Sequence, residues 1–316
     1  MHTTRIDDIE IPALGFGCAS MLGRVGRRAS LLALARAWDA GMRLFDVAPS
    51  YGYGEAETLL GTFLRGRRHG ALLITKFGLE PQPVAPLQRA LKPVVRAALR
   101  LAPAARQSVR RQLRPLAPAP GFDILTLHAS VERSLRALQT DCIDVLLAHE
   151  APASIGAQED LLDALEQLRR SGKIRCAGVS GANAIAALTA APDVLRVAQF
   201  PAPLFASAMP AANSNIGLRM ANHVFGGTES ARTLQQRMAS LTSSQQLSES
   251  LQARLRLPIH ALLAQLAFSA ARNRFGAQTI IASMFQPAHL QANLEALSSP
   301  AFNTEDLAAI EAALQR

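Results

Sequence analysis

The chain has 316 residues, of which 49% are apolar, a net charge of +9 and three cysteines. That length and apolar content suit one large α/β domain over residues 1–316, and the odd, widely spaced Cys18, Cys142 and Cys176 read as buried free thiols, which excludes a disulfide scaffold or a metal site. Met1 to Asp8 contain no apolar stretch of signal-peptide type, and no run approaches the roughly 18 apolar residues that span a bilayer, so the expectation is a cytoplasmic protein with no membrane attachment.

In chain order, Ile9 to Pro12 close a short N-terminal hairpin and Ala13 to Ala19 read as a first strand. Ser30 is a candidate N-cap, with Leu31, Leu34, Ala35 and Trp38 at helical spacing and Gly41 as the stop. Met42 to Phe45 form strand two. Asp46 stands at its tip, followed by a loop broken by Pro49, Gly52 and Gly54, and by a helix opened by Glu55 and Glu57. Strand three is Leu72 to Lys76.

The rhythm then breaks. Residues 79–121 are rich in Pro, Ala and Arg, and Leu91, Val94, Val95, Ala98 and Leu101 are spaced for amphipathic helices. Within 81–120, Arg89, Lys92, Arg96, Arg100, Arg106, Arg110, Arg111 and Arg114 meet no acid, so almost all of the net charge is local. A general basic surface would suggest nucleic acid. A local excess describes an insertion instead, and no nucleic-acid partner is expected.

The alternation resumes with a helix over Ser130 to Leu138 and strand four over Ile143 to His149. A helix from Glu159 is closed by Gly172, strand five is Ile174 to Val179, and Asn183 caps the next helix. Strand six is Leu195 to Phe200 and strand seven Leu218 to Phe225. A helical region interrupted at 241–244 resumes through His260 to Leu266, strand eight is Thr279 to Ser283, and helices over Pro287 to Leu297 and Asp306 to Leu314 close the chain. Alternating strands and helices over the whole length predict an α/β fold, a (β/α)8 TIM barrel with a basic helical insertion after strand three.

Four stretches in this order resemble the aldo-keto reductases. They are Phe45-Asp46-Val47-Ala48-Pro49-Ser50-Tyr51-Gly52-Tyr53-Gly54-Glu55-Ala56-Glu57, Ile74-Thr75-Lys76, Ser134 through His149, and Gly178-Val179-Ser180. The resemblance implies catalysis by Tyr51, Asp46, Lys76 and His149. Each residue type suits carbonyl reduction. A phenol has a pKa of about 10, and the Lys76 ammonium is expected to lower it. Asp46 would hold Lys76, and His149 would orient the substrate oxygen. No side chain supplies a hydride. The resemblance therefore implies a nicotinamide nucleotide, NADP(H) ahead of NAD(H), and a small carbonyl or alcohol substrate.

No Rossmann G-x-G-x-x-G opens a βαβ unit; Gly15-Phe16-Gly17 is a barrel strand instead. The implied cofactor contacts are Gly17 and Cys18 in strand one, Ser180 and Gln199 at the carboxamide, Asn222 or His223 where the family often carries a stacking Tyr, Ser283 and His289 along the adenosine phosphate, and Asn293 at the adenine. Gly181 replaces the family's Asn, and the last segment carries no fixed cation for a 2′-phosphate. The arginine-rich segment suggests an anionic substrate. A different class, a nucleotide-binding barrel that acts as a sensor or regulatory subunit without catalysis, is the alternative.

Overall fold

The computed structural model describes residues 3–81, 120–204, 217–226 and 247–314. The expected helices within 79–121 and the interruption at 241–244 lie outside the described residues. A hairpin of β1 (Thr3–Ile6) and β2 (Ile9–Pro12) precedes a closed barrel. Its eight parallel strands are β3 (Leu14–Gly17), β4 (Leu44–Asp46), β5 (Leu72–Phe77), β6 (Ile143–His149), β7 (Ile174–Ser180), β8 (Leu195–Pro201), β9 (Leu218–Asn222) and β10 (Thr279–Ala282). β10 pairs with β3 and closes the ring. The helices between them are α1 (Arg27–Asp39), α2 (Ala56–Leu64), α3 (Ile124–Leu138), α4 (Glu159–Arg170), α5 (Ala184–Ala190), α6 (Glu249–Leu255) and α7 (Ile259–Asn273), with α8 (Pro287–Ser298) and α9 (Thr304–Leu314) after β10. This is the expected (β/α)8 barrel.

Period-two alternation sorts each strand into two rows. Leu73, Phe77, Leu146, Ala148, Ala177, Val179, Ala198, Phe200 and Ala221 face the helices and join the core between strands and helices. Leu44, Ile74, Val145, Leu147, Cys176, Val197, Leu218, Met220 and Ile281 fill the barrel interior, and Ile6, Ile9 and Ile11 of the hairpin join the same cluster. Helices present matching stripes. In α4, Leu161, Ala164, Leu165 and Leu168 are buried, while Glu159 and Asp160 sit in the first turn and Arg169 and Arg170 in the last, each charge at the dipole end that favours it.

Several boundaries differ from expectation. α1 starts at Arg27 with Gly26 at its N-cap, and Ser30 lies inside the helix and is buried. β4 begins two residues later than expected, at Leu44, and includes Asp46. β9 ends at Asn222 rather than Phe225, since His223 takes a positive φ of 49° that an extended strand does not allow. α3 starts at Ile124, not Ser130, because Asp123 caps it by accepting from the Thr126 amide at 2.9 Å. Glu57 does not face solvent at a helix terminus. It is buried, and its carboxylate accepts the Thr75 hydroxyl at 2.6 Å.

Candidate active site

Two residues beyond the apolar interior row, the same row turns polar on neighbouring strands. Leu44 is followed by Asp46, Ile74 by Lys76, Leu147 by His149, Val197 by Gln199 and Met220 by Asn222. Gly178 is followed in the same way by Ser180. The register aligns His149 with Ser180 and Ser180 with Gln199. All of these stand at the C-terminal ends of the strands, the end at which barrel enzymes carry their chemistry.

Lys76 is 1% exposed, and its Nζ donates to Asp46 Oδ1 at 2.7 Å and to the Val47 carbonyl at 3.0 Å. Tyr51 follows β4 in a turn where Gly52 and Tyr53 have φ of 58° and 62°. A Cβ on Gly52 would sit 2.8 Å from the Met21 carbonyl oxygen, so glycine there lets the turn pack against the loop after β3 and hold Tyr51 over the barrel. The Lys76 ammonium lies 4.9 Å from the Tyr51 ring centroid, and the His149 ring meets Tyr51 edge-on at 5.9 Å.

Burial acts on each group. It pushes the Tyr51 phenol above its ordinary value of 10, by more than the Lys76 charge takes away. The expected net lowering is therefore reversed. Burial also opposes charge on Lys76, but Asp46 and Tyr51 overcome it and push the ammonium up to about 12. His149 is drawn down to about 3 by burial, then by Lys76 and His223, which leaves it neutral.

A second polar group joins this one. Gln199 donates through Nε2 to Asp46 Oδ1 at 3.2 Å, and its Oε1 accepts from Ser180 Oγ at 2.8 Å and Asn222 Nδ2 at 3.2 Å. The sequence offered no sign that Gln199 reaches Asp46, 153 residues away. Gly181 has a φ of 133°, and a Cβ there would lie 3.0 Å from the Cα and Oε2 of Glu150. Both the backbone and the space favour glycine, so no side chain extends from this position.

Gly17 is aligned with Asp46, and the Cys18 amide donates to the Asp46 carbonyl at 2.8 Å. The Cys18 side chain is fully buried, and burial and then Asp46 drive its thiol far up, so only its backbone can serve a ligand. Ser283 Oγ donates to the Gly17 carbonyl at 3.3 Å, bringing the end of β10 to this rim. His289 and Asn293 lie on α8, and no hydrogen bond joins them to the Asp46–Gln199 network. The His289 ring packs on His260 of α7, with centroids 4.7 Å apart, a partner that the sequence reading missed.

The group that the sequence resemblance implies for this mouth is a nicotinamide nucleotide. Asn222 Oδ1, His149 Nδ1 and Asn293 Nδ2 are buried without a hydrogen-bond partner. An open acceptor and an open amide donor fit a carboxamide and an adenine, so the residues present suit the nucleotide. Among the described residues, no cluster of three or more His, Cys, Asp or Glu side chains could hold a metal ion, and no helix is long and apolar enough to cross a membrane.

Comparison with known proteins bears on the same residues. The chain is 27% identical over 187 residues to the aldo-keto reductase yakc [NADP(+)] of Schizosaccharomyces pombe, covering 58% of this chain and 46% of that protein. It is 29% identical over 188 residues to the aldo-keto reductase YhdN of Bacillus subtilis, covering 57% and 47%. The matches thus span about half the length of these curated relatives. An aldo-keto reductase from Bacillus halodurans in its holo form superposes with a TM-score of 0.67 at 19% identity, covering 99% of this chain and 96% of that one, which shows the shared fold. The Aldo/keto reductase family model matches residues 13–202, more than half of the chain and every barrel strand from β3 to β8, and on that match the chain belongs to the aldo-keto reductase family.

Proposed function

We propose that the chain is an NAD(P)H-dependent reductase that interconverts an aldehyde, ketone or sugar carbonyl and its alcohol, with Tyr51 as general acid and base. The observation that carries this reading is the buried Lys76–Asp46 pair at 2.7 Å beneath a Tyr51 phenol held in its protonated form. A bound nicotinamide nucleotide supplies the hydride. Ser180, Gln199 and Asn222 would hold its carboxamide, the Gly17–Cys18 backbone would line its path, and Ser283, His289 and Asn293 would hold its adenosine end.

Tyr51 gives its proton to the substrate oxygen. A phenol above 10 keeps that proton at neutral pH, and a nascent alkoxide is basic enough to take it. Lys76 then stabilises the phenolate left behind, and Asp46 keeps Lys76 charged and in place. His149 is neutral, so it offers an N–H to the substrate oxygen without adding a positive charge beside Lys76. In the oxidative direction Tyr51 must first ionise, which favours that direction at high pH.

NADP(H) is the preferred form in this proposal, and the name of the Schizosaccharomyces pombe relative carries NADP(+). The eight cations within 81–120 follow β5 in the sequence, where they favour a substrate bearing a carboxylate or phosphate. Matched neutral and anionic aldehydes test this, and equal kcat/KM for both would remove the anionic preference. The central test titrates the protein with NADPH and NADH by nicotinamide fluorescence, then assays an aldehyde panel with wild type and Tyr51→Phe. The expected result is saturable binding by both proteins and a kcat lowered roughly 10²–10⁴-fold in the variant. Wild-type binding with no turnover would favour the regulatory barrel, and failure to bind either nucleotide would sink the reductase reading.

A further inference from the structure

Away from the barrel mouth, the outer helices line an open cleft of about 420 Å³ between α6, α7, α8 and the loop that enters α9. None of Asp46, Tyr51, Lys76 or His149 lines it. Arg272 and Asn273 lie at the last residues of α7, and Ala296 lies near the end of α8. Helices of a βα barrel run back against the strands, so these ends lie toward the face opposite the catalytic mouth.

One wall is apolar, formed by Phe268, Ala296, Pro300 and Phe302, with Phe268 and Phe302 almost fully buried. The other carries two guanidinium groups, of Arg254 and Arg272, and their situations differ. Arg254 is fully engaged. It forks onto Asp306 at 2.6 and 2.7 Å and donates to the Ala301 carbonyl at 2.6 Å. Asp306 is also occupied, since it accepts the Asn303 amide at 3.0 Å while Asn303 Oδ1 accepts the Asp306 amide at 2.8 Å, a reciprocal cap on α9. The loop is pinned from its other side by Gln265, which donates to the Ser299 carbonyl at 3.0 Å and accepts from the Ala301 amide at 2.8 Å.

Arg272 has no acid or hydrogen-bond acceptor among the described residues, although it is half-buried on the same cleft. Burial alone acts on it, lowering its pKa with no anion to offset the effect. The Asp306 charge is spent on Arg254, so among the described residues lining the cleft one positive charge, that of Arg272, stands uncompensated beside an aromatic and aliphatic wall. A cleft of this size is within the range that takes small molecules. A guanidinium fork recognises a planar carboxylate through two parallel N–H···O bonds.

We propose that this cleft is a second binding site, for a monoanionic organic carboxylate with an apolar body. Its carboxylate would pair with Arg272 and its apolar body would lie against Phe268 and Phe302. The site is independent of the reductase reading, because it shares no residue with the barrel mouth.

The probe is 3-(4-fluorophenyl)propionate, followed by fluorine NMR line broadening on the full chain, with its primary amide and inorganic phosphate as matched controls. The expected result is saturable broadening by the carboxylate, little by the amide, and no displacement by an equal concentration of phosphate. Arg272→Gln should weaken binding roughly ten- to hundredfold, while Tyr51→Phe binds as wild type does. Arg272→Lys keeps the charge without the fork, so it should bind between the two and serves if Arg272→Gln fails to fold. Unchanged affinity in both Arg272 variants, equal binding of the amide, or no saturable binding by wild type would overturn the proposal. Displacement by phosphate at equal concentration would overturn the assignment to carboxylates.

Discussion

Replacing Lys76 by Met removes half of a buried ion pair and leaves the other half behind. The side chains of Lys76 and Asp46 are only 1% and 6% exposed. An uncompensated buried charge of this kind costs about 3–5 kcal/mol. Asp46 keeps the Gln199 amide at 3.2 Å, which places the expected loss near the lower end, ~3 kcal/mol. Unfolding entropy of roughly 2.1 cal/mol/K per residue over 316 residues makes that a fall in Tm of about 5 °C. Asp46→Asn should cost a similar amount by stranding the ammonium. The double variant strands neither charge, so its loss should fall short of the two single losses combined by ~2–3 kcal/mol. Urea unfolding of the four proteins at pH 7 measures this coupling. Single losses under ~1 kcal/mol that simply add would refute the idea of a tightly coupled buried pair. The pair also sets an alkaline limit. Lys76 is raised from 10.5 to about 12, so its contribution is complete below 10.5 and is lost as pH rises through 12.

Other predictions concern acid stability, cofactor choice and the ion pairs at the strand starts. His149 is drawn from 6.5 down to about 3, so the unfolded chain binds the extra proton across that window and stability should fall as pH drops from 6.5 towards 3. In His149→Gln, chemical denaturation at pH 4 and pH 7 should show a smaller difference than in wild type. Burial and then His260 lower His289, so a His289–phosphate contact needs acid and the preference for NADPH over NADH should weaken as pH rises. Fluorescence titrations across pH should show His289→Ala weakening NADPH binding alone; a pH-independent ratio in wild type would refute this. Asp144 is buried and accepts from Arg68 at 2.8 Å, Arg175 at 2.9 Å and the Leu73 amide at 2.9 Å. Arg68 and Arg175 are partly exposed and keep other partners, so Asp144→Ala should cost about 1–3 kcal/mol in urea unfolding, and a loss below ~0.5 kcal/mol would show that those other partners suffice.

Much of the barrel was legible because its signal is local. Alternation along the longer strands separates the rows that face the helices from those that fill the interior, and on β4, β5, β6, β7, β8 and β9 the interior row ends in a polar residue. Asp46, Lys76 and His149 were legible as strand-end residues from the βα rhythm, while Ser180 and Gln199 were named only through the family resemblance. Helix stops at Gly41 and Gly172 were equally readable, since both take the positive φ that glycine permits, 86° and 76°. Ser30 failed as a cap because the chain had already turned helical at Arg27, a choice that the preceding loop makes and Ser30 does not.

Only the tertiary structure decided how the site behaves electrically. A motif names Tyr51 and Lys76, but it cannot say how much water the fold removes, and burial outweighs the ammonium and reverses the sign of the Tyr51 shift. Barrel closure brings Gln199 onto Asp46 and packs His260 on His289. It also leaves Arg272 beside an apolar cleft while Arg254 takes the nearby acid. Composition and spacing fix which residues share a strand face. Which distant groups meet, and in what dielectric, depends on the whole ring having closed.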